Sequence, residues 1–340
     1  MNSATLDSFG IGNALLDVEY RITDAFLTEH AIEKRHMTLV DEKRMLLLID
    51  ALESEAITST CGGSAANTMW AMCGFGLRTH LTCRVAPDEA GQYFVSQLTN
   101  AGISTNKILP EQDGVTGRCL VLVTEDAERT MNTCLGVSER LLAIQVDEGV
   151  LRNSRSIFIE GYLASSKTGS AAALYAREIA DAHDLETNLT LADTSMVTMF
   201  RAELDSIVGQ GLTRVFCNAE EAFSWCKTDR LDIALTELKD VAEEVIITLG
   251  PKGCAVNTGR ERFESKAFPV RPIDLNGAGD MFAAAYLSKI IDNNAKEAAN
   301  FANFAASHII QRTGARFETI SKYGKIKKRY LRNQETESVA

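Results

Sequence analysis

Short apolar runs alternate with segments of helical spacing along most of the chain. The runs are Ser8 to Gly12, Arg78 to Val85, Ser156 to Gly161, Asn188 to Leu191, Thr213 to Cys217 and Glu244 to Leu249. Each has the length and bounding turns of a buried strand. Between them, apolar residues recur every three or four positions. Ala65, Met69, Met72 and Cys73 form one stripe, Ala171, Leu174, Ile179 and Ala180 a second, Phe282, Ala285, Tyr286 and Ile290 a third. That spacing predicts helices with an apolar face. Strand–helix alternation predicts an α/β fold: a mainly parallel central sheet with helices on both faces. Such sheets place ligands at the carboxyl ends of their strands.

Two regions break the alternation. Leu15 to Ile22 reads as a strand leading into the charged stretch Asp24 to Arg44. Arg118 to Thr124 and Glu128 to Cys134 read as two strands joined by the turn Glu125–Asp126–Ala127, a hairpin rather than a βα unit. These extra strands predict a small β-rich lid, formed by about residues 15–60 and 115–136. With no repeat, no low-complexity segment and only five prolines, the chain reads as one domain over residues 1–340.

Composition narrows the function. The 340 residues are 45% hydrophobic and 24% charged, enough for a core without staples. There are 46 acidic and 35 basic residues, a net charge of −11, which argues against a nucleic-acid partner. The longest apolar stretch, Met281 to Leu287, falls far short of the roughly 20 residues that span a bilayer, so no membrane role is expected. Met1 to Ser8 lacks the features of a secretory signal. The eight cysteines show no CxxC spacing and read as reduced residues of a cytoplasmic protein. The basic tail from Lys322 to Arg332 reads as a solvated terminal helix, with an RNA-binding or docking tail as the alternative.

Five segments carry polar chemistry. Asp274-Leu-Asn-Gly-Ala-Gly-Asp280 runs straight into an apolar helix. Its glycines allow close approach of a ligand, and the helix start offers free N–H groups to an anion. Asp280 inside that site can accept a proton from a hydroxyl; read alone, the string is equally a tight loop with an Asp N-cap. Cys61-Gly-Gly-Ser-Ala-Ala-Asn67 brings backbone near a polar ligand at Gly62 and Gly63, with Asn67 as donor and acceptor; alone, it reads better as a glycine turn capped by Ser64. Asn218-Ala-Glu-Glu221 is either a capping box or an amide and a carboxylate beside a Mg²⁺–phosphate centre, acting mainly through water. Thr248-Leu-Gly-Pro-Lys-Gly253 is a turn at a strand end, open to a nucleotide's phosphates or ribose. Gly12-Asn-Ala-Leu-Leu-Asp17 offers a carboxylate to polyol hydroxyls, or a solvated loop Asp. No Walker A loop, GxSxG elbow or HExxH occurs, and no GxGxxG follows the first strand, which sets a dinucleotide-dependent dehydrogenase aside.

Taken in order, these segments resemble the ribokinase-like carbohydrate kinase family, which includes ribokinase, fructokinase and adenosine kinase. The resemblance runs from about Phe9 to about Phe317 and rests most on Gly62–Gly63 with Asn67 and on Asp274 to Asp280. Three details are most similar to the adenosine kinase branch: the opening Gly10-Ile-Gly-Asn-Ala-Leu-Leu-Asp17, Asn276 where ribokinases usually carry Thr, and Phe304-Ala-Ala-Ser307 followed by Arg312-Thr-Gly314.

The resemblance implies an ATP- and Mg²⁺-dependent kinase acting on a primary hydroxyl of a nucleoside or sugar, with adenosine leading. A kinase of a free sugar or another nucleoside, and a non-catalytic sugar- or nucleoside-binding regulator, are the alternatives. Asp280 would be the base, and Gly277, Ala278 and Gly279 the anion hole. Asp17, Gly62, Gly63 and Asn67 would bind the acceptor's hydroxyls, with Asn13 nearby. Asn218 and Glu221 would organise Mg²⁺ and phosphates; Thr248, Gly250 and Gly253 would line the ATP site; Asn303 and Ala306 would approach the adenine. Adenosine kinases usually place Gln near the nucleobase, where this chain has Met37, or His36 one residue earlier. The stacking aromatic falls at Tyr162 or Leu163, after an unexpected Glu160 that is either a paired structural acid or a ligand for a polar substrate group. The family leaves open a monovalent cation (K⁺), and either a monomer or a homodimer paired through its lids.

Overall fold

The computed structural model describes residues 6–34, 37–52, 56–108, 114–126, 128–292 and 294–337. In chain order its strands are β1 (Ser8–Ile11), β2 (Leu15–Arg21), β3 (Met37–Leu39), β4 (Thr58–Gly62), β5 (Thr79–Thr82), β6 (Ser104–Thr105) and β7 (Gly117–Val123). There follow β8 (Arg129–Cys134), β9 (Ser156–Glu160), β10 (Glu186–Thr190), β11 (Leu212–Asn218), β12 (Ala242–Thr248), β13 (Cys254–Asn257) and β14 (Arg262–Ser265).

Nine strands form one sheet in the order β14-β13-β12-β11-β10-β9-β1-β5-β6. The six apolar runs of the sequence are its β1, β5, β9, β10, β11 and β12. From β12 to β6 every pairing is parallel. β12, β13 and β14 pair antiparallel at one edge, which the strand–helix rhythm did not foretell. Every residue of β1 and β9 is buried, because helices cover both faces. Phe158 packs on one side among the Ser64–Gly74, Ala278–Ile290 and Ala295–Ile309 helices. Ile157 and Ile159 pack on the other, against the Lys167–Ala182 helix.

A second sheet has the order β3-β8-β7-β2-β4. β7 and β8 pair antiparallel as the hairpin reading requires; Ala127 of the expected turn lies outside the described residues. β2 alternates: Leu16 and Val18 are buried, so Asp17 between them projects from the opposite face. All five strands fall within residues 15–62 and 117–134.

The terminal Ile320–Glu337 helix is not solvated all round, as the charge run suggested. Tyr323, Ile326 and Tyr330 are buried, and the Tyr323 ring meets Phe75 and Phe317 edge-on. Their helical spacing lets Lys325, Lys328 and Arg329 remain exposed on the outer side. All eight cysteines are unpaired. Among the described residues, no helix is long and apolar enough to cross a membrane.

Candidate active site

The Ala278–Ile290 helix begins at Gly277, whose φ is +75°. A Cβ there would lie 2.1 Å from the Ala315 carbonyl oxygen, so this turn requires glycine. Gly277, not Asp280, is the N-cap, and Asp280 is the third helical residue. The N-cap alternative for Asp280 is thereby excluded. Gly279 differs: it is exposed, and a Cβ there would meet nothing within 4 Å. Its N–H and that of Asp280 belong to a first helical turn, where intrahelical acceptors are absent and the helix dipole is positive. Upstream, Asp274 braces the loop. It accepts from the N–H groups of Asn276 (3.0 Å) and Gly314 (2.9 Å), and Arg129 lies 3.4 Å away.

The Ser64–Gly74 helix starts beside this loop. Its N-cap is Gly63, at φ +102°, with no room for a Cβ against the Asn13 carbonyl. Ser64 is therefore not the cap. Its hydroxyl donates to Asp280 Oδ1 at 2.7 Å, and Asn67 Nδ2 donates to Asp280 Oδ2 at 2.9 Å. Asn67 Oδ1 is buried with no hydrogen-bond partner among the described residues. Burial pushes Asp280 up to about 6, and the two donated bonds hold it back from rising further.

Asp17 reaches the same region from β2. Gly62 leaves space for it, since a Cβ there would sit 2.4 Å from Asp17 Oδ2. Among the described residues no donor pairs with the Asp17 carboxylate. Burial raises it to about 7, against the pull of Arg316 and Arg129. Arg316 stacks over Trp70 at 3.9 Å and drew no notice in the sequence, because nothing local marks it. Asn13 is 3% exposed, and its amide is tied to Glu160 and Ser138.

More acids line the carboxyl edge of the large sheet. Glu160 ends β9 and is raised to about 7 by burial. Asp193 follows β10 and caps the Thr194–Met199 helix. An acid just past a strand was its only sequence signal. Asn218 and Glu221 form the reciprocal capping box of the Ala219–Cys226 helix; Glu221 N donates to Asn218 Oδ1 at 2.9 Å and Asn218 N to Glu221 Oε2 at 3.0 Å. Glu221 is raised to about 7, also by burial. Tyr162 is half-buried, and its ionisation is opposed first by burial and then by the charges of Asp193, Glu160, Asp280 and Glu221. Met37 pairs with Met131 through the backbone of β3 and β8; His36 lies outside the described residues.

The remaining candidates lie farther along the same edge. Thr248 ends β12, and Gly250 is exposed at φ +56° with nothing near its Cβ position. Gly253, at φ +101°, is needed by the turn itself, because a Cβ would lie 2.0 Å from the Ser265 carbonyl. Asn303 Nδ2 is committed to Ser265, at 3.0 Å to its carbonyl and 3.1 Å to its hydroxyl. Ala306, one turn on, is half-buried. Among the described residues, no group of three or more His, Cys, Asp or Glu could ligate a metal ion by itself. Glu221 is 5% exposed with both oxygens accepting from Asn218, Oε2 from its N–H and Oε1 from its amide at 2.5 Å, so the pair suits contact with a hydrated cation rather than direct ligation.

A model of the pfkB family of carbohydrate kinases matches residues 37–322. The adenosine kinase of Sinorhizobium meliloti has a similar structure, with a TM-score of 0.84 at 32% identity over 95% of this chain and 99% of that one. The 5-dehydro-2-deoxygluconokinase of Clostridium botulinum is 25% identical over 280 residues, 76% of this chain and 80% of its own. The adenosine kinase of Saccharomyces cerevisiae is 23% identical over 305 residues, 82% and 86% of the two chains.

Proposed function

The chain belongs to the pfkB family of carbohydrate kinases, and we propose that it uses ATP to phosphorylate a primary hydroxyl of a nucleoside, adenosine first among them. The arrangement around Asp280 carries this reading. A carboxylate held by two donors stands at an open helix start, near a second carboxylate, Asp17, that lacks a donor among the described residues.

Asp280 is ionised at neutral pH and takes the proton of the attacking hydroxyl. The hydroxyl oxygen bonds to the terminal phosphorus of ATP as the bond to ADP breaks. First-turn N–H groups at Gly279 and Asp280, behind the Gly277–Ala278 entry, face the charge on the moving phosphoryl group. Asp17 accepts from the acceptor's hydroxyls, and the orphaned Asn67 Oδ1 supports a further hydrogen bond from one of them. Backbone at Gly62 and Gly63 lets the sugar come close, with Asn13 behind it. Tyr162 and the β3 segment at Met37 flank the base. Thr248, Gly250 and Gly253, with Asn303 and Ala306, border the nucleotide. Mg²⁺, when bound, neutralises phosphate charge, with Asn218 and Glu221 as its outer-sphere partners. The second sheet acts as the lid, excluding water that would otherwise hydrolyse ATP. Eight unpaired cysteines support a reducing cytoplasm as its place of work.

The test is ADP release from ATP and Mg²⁺ with adenosine, inosine, guanosine, cytidine, ribose, fructose and 2-keto-3-deoxygluconate. The expected result is turnover with adenosine well above the rest. Preference for a free sugar or another nucleoside keeps the kinase and rejects the adenosine assignment. ADP release indifferent to every acceptor counts against the nucleoside reading.

A further inference from the structure

Glu160 is the most enclosed acid of the site, at 1% exposure. Its Oε1 accepts from Asn13 Nδ2 at 3.0 Å, and its Oε2 from the Ala65 backbone N–H at 2.8 Å. Gly12 makes the space: a Cβ there would lie 2.4 Å from Glu160 Oε2. Ala65 sits in the first turn of the Ser64–Gly74 helix, where a negative charge satisfies a free N–H and the dipole together. Ser64 and Asn67, on either side of Ala65, are the two residues that bond Asp280. At the other end of the network, Ser138 donates to Asn13 Oδ1 at 3.4 Å and accepts from the Ala14 N–H at 2.7 Å.

We propose that Glu160 is a positioning residue for phosphoryl transfer: its carboxylate fixes Asn13 and the start of the Ser64–Gly74 helix, so that Ser64 and Asn67 aim Asp280 at the acceptor hydroxyl. The inference rests on the reading of Asp280 as the base. Enclosure at 1% exposure and a protein donor on each oxygen favour positioning over direct contact with the acceptor. Glutamine cannot replace it. The two donors face different oxygens, so a glutamine would set its NH₂ against either the Ala65 N–H or the Asn13 NH₂. Turning the Asn13 amide over would satisfy the glutamine only by removing the acceptor of the Ser138 hydroxyl.

The experiment compares full-length wild type, Glu160→Gln, Glu160→Asp, Asp280→Asn and the double variant Glu160→Gln/Asp280→Asn, with thermal melts alongside steady-state kinetics. Glu160→Gln is expected to lower kcat about tenfold, a sub-ångström loss of aim. The KM for ATP should change less than about twofold, because the nucleotide-side residues of β11 and β12 lie outside this network. In the Asp280→Asn background the same substitution should cost less than about twofold, since the group being aimed is gone. An equal loss in both backgrounds marks a merely structural role and overturns the proposal, as does wild-type kcat in folded Glu160→Gln. Should the glutamine variant fail to fold, Glu160→Asp decides. It keeps the charge but is one methylene short, and is expected to lose about threefold or more in kcat; wild-type kcat there overturns the proposal. Wild-type turnover in Asp280→Asn removes the base assignment and this inference with it. An inactive Asp280→Asn beside a fully active Glu160→Gln removes the inference alone.

Discussion

Asp280 is pushed up to about 6 by burial, while Ser64 and Asn67 stabilise its ionised form. A base of this kind should give kcat/KM an acid limb near pH 6, with activity rising as the carboxylate ionises. Ser64→Ala removes one donor to the charged form, so its limb should move to higher pH by roughly half a unit or more. A limb that stays in place would separate Ser64 from the base. Asp280→Asn should lower turnover by about 10²-fold or more, with acceptor KM within a few fold. Asp17→Ala should instead raise the acceptor KM steeply, because an unpaired carboxylate facing hydroxyls is lost. Asp280 and Asp17 were legible in the sequence, as an acid closing a glycine loop and an acid in an early strand. Ser64 was misread as a cap because its true partner lies 216 residues away, beyond the reach of any local pattern. Glu160 was visible as an acid in an apolar strand, but only the geometry shows both of its oxygens committed.

At the scale of elements, the two glycines of the Asp274–Asp280 loop separate fold from the proposed function. Gly277→Ala forces a side chain into a φ of +75° and against the Ala315 carbonyl. It should destabilise the protein by at least about 2 kcal/mol, seen as a lower denaturation midpoint. Gly279→Ala meets no atom within 4 Å and lies within a helix, so it should leave stability unchanged or raise it by about 0.5–1 kcal/mol. If that open N–H turn receives the phosphoryl group, the same variant should lose about tenfold in kcat/KM for ATP. A stable, fully active Gly279→Ala would move the anion site elsewhere. The hydrophobic pattern revealed the long elements: six strands of the large sheet as short apolar runs and three helices by their apolar spacing. It missed β6, which has two residues, β13, whose four residues follow directly on the Gly253 turn, and β14, whose half-exposed residues carry no apolar run. It also misjudged the terminal helix, where charge masked the Tyr323, Ile326 and Tyr330 stripe.

At the scale of the molecule, the site gathers carboxylates that folding would not choose. Asp17, Glu160 and Glu221 are each raised to about 7 and Asp280 to about 6, in every case chiefly by burial. An acid whose folded pKa exceeds its unfolded value holds its proton more tightly in the folded chain. Its contribution to stability therefore falls as pH rises between the two values. His80, lowered to about 4 by burial, acts in the opposite sense, but only between its folded value and about 6.5. Above pH 6.5 the acids dominate. The ligand-free protein should melt roughly 3–5 °C lower at pH 8 than at pH 6.5. Asp17→Asn should remove part of that slope, because one of the titrating groups is gone, while a surface change such as Asp232→Asn should not. A melting temperature that is flat or rising over this interval would mean that the carboxylates are better compensated than their burial implies. Of these charges, Asp17, Asp280 and Glu221 are the ones that a polyol and a hydrated cation would meet in the proposed reaction, Glu160 being already committed to Asn13 and Ala65. Acceptor and Mg²⁺–ATP together should therefore raise the melting temperature more at pH 8 than at pH 6.5, as the ligands satisfy the acids that the fold leaves exposed to their own repulsion.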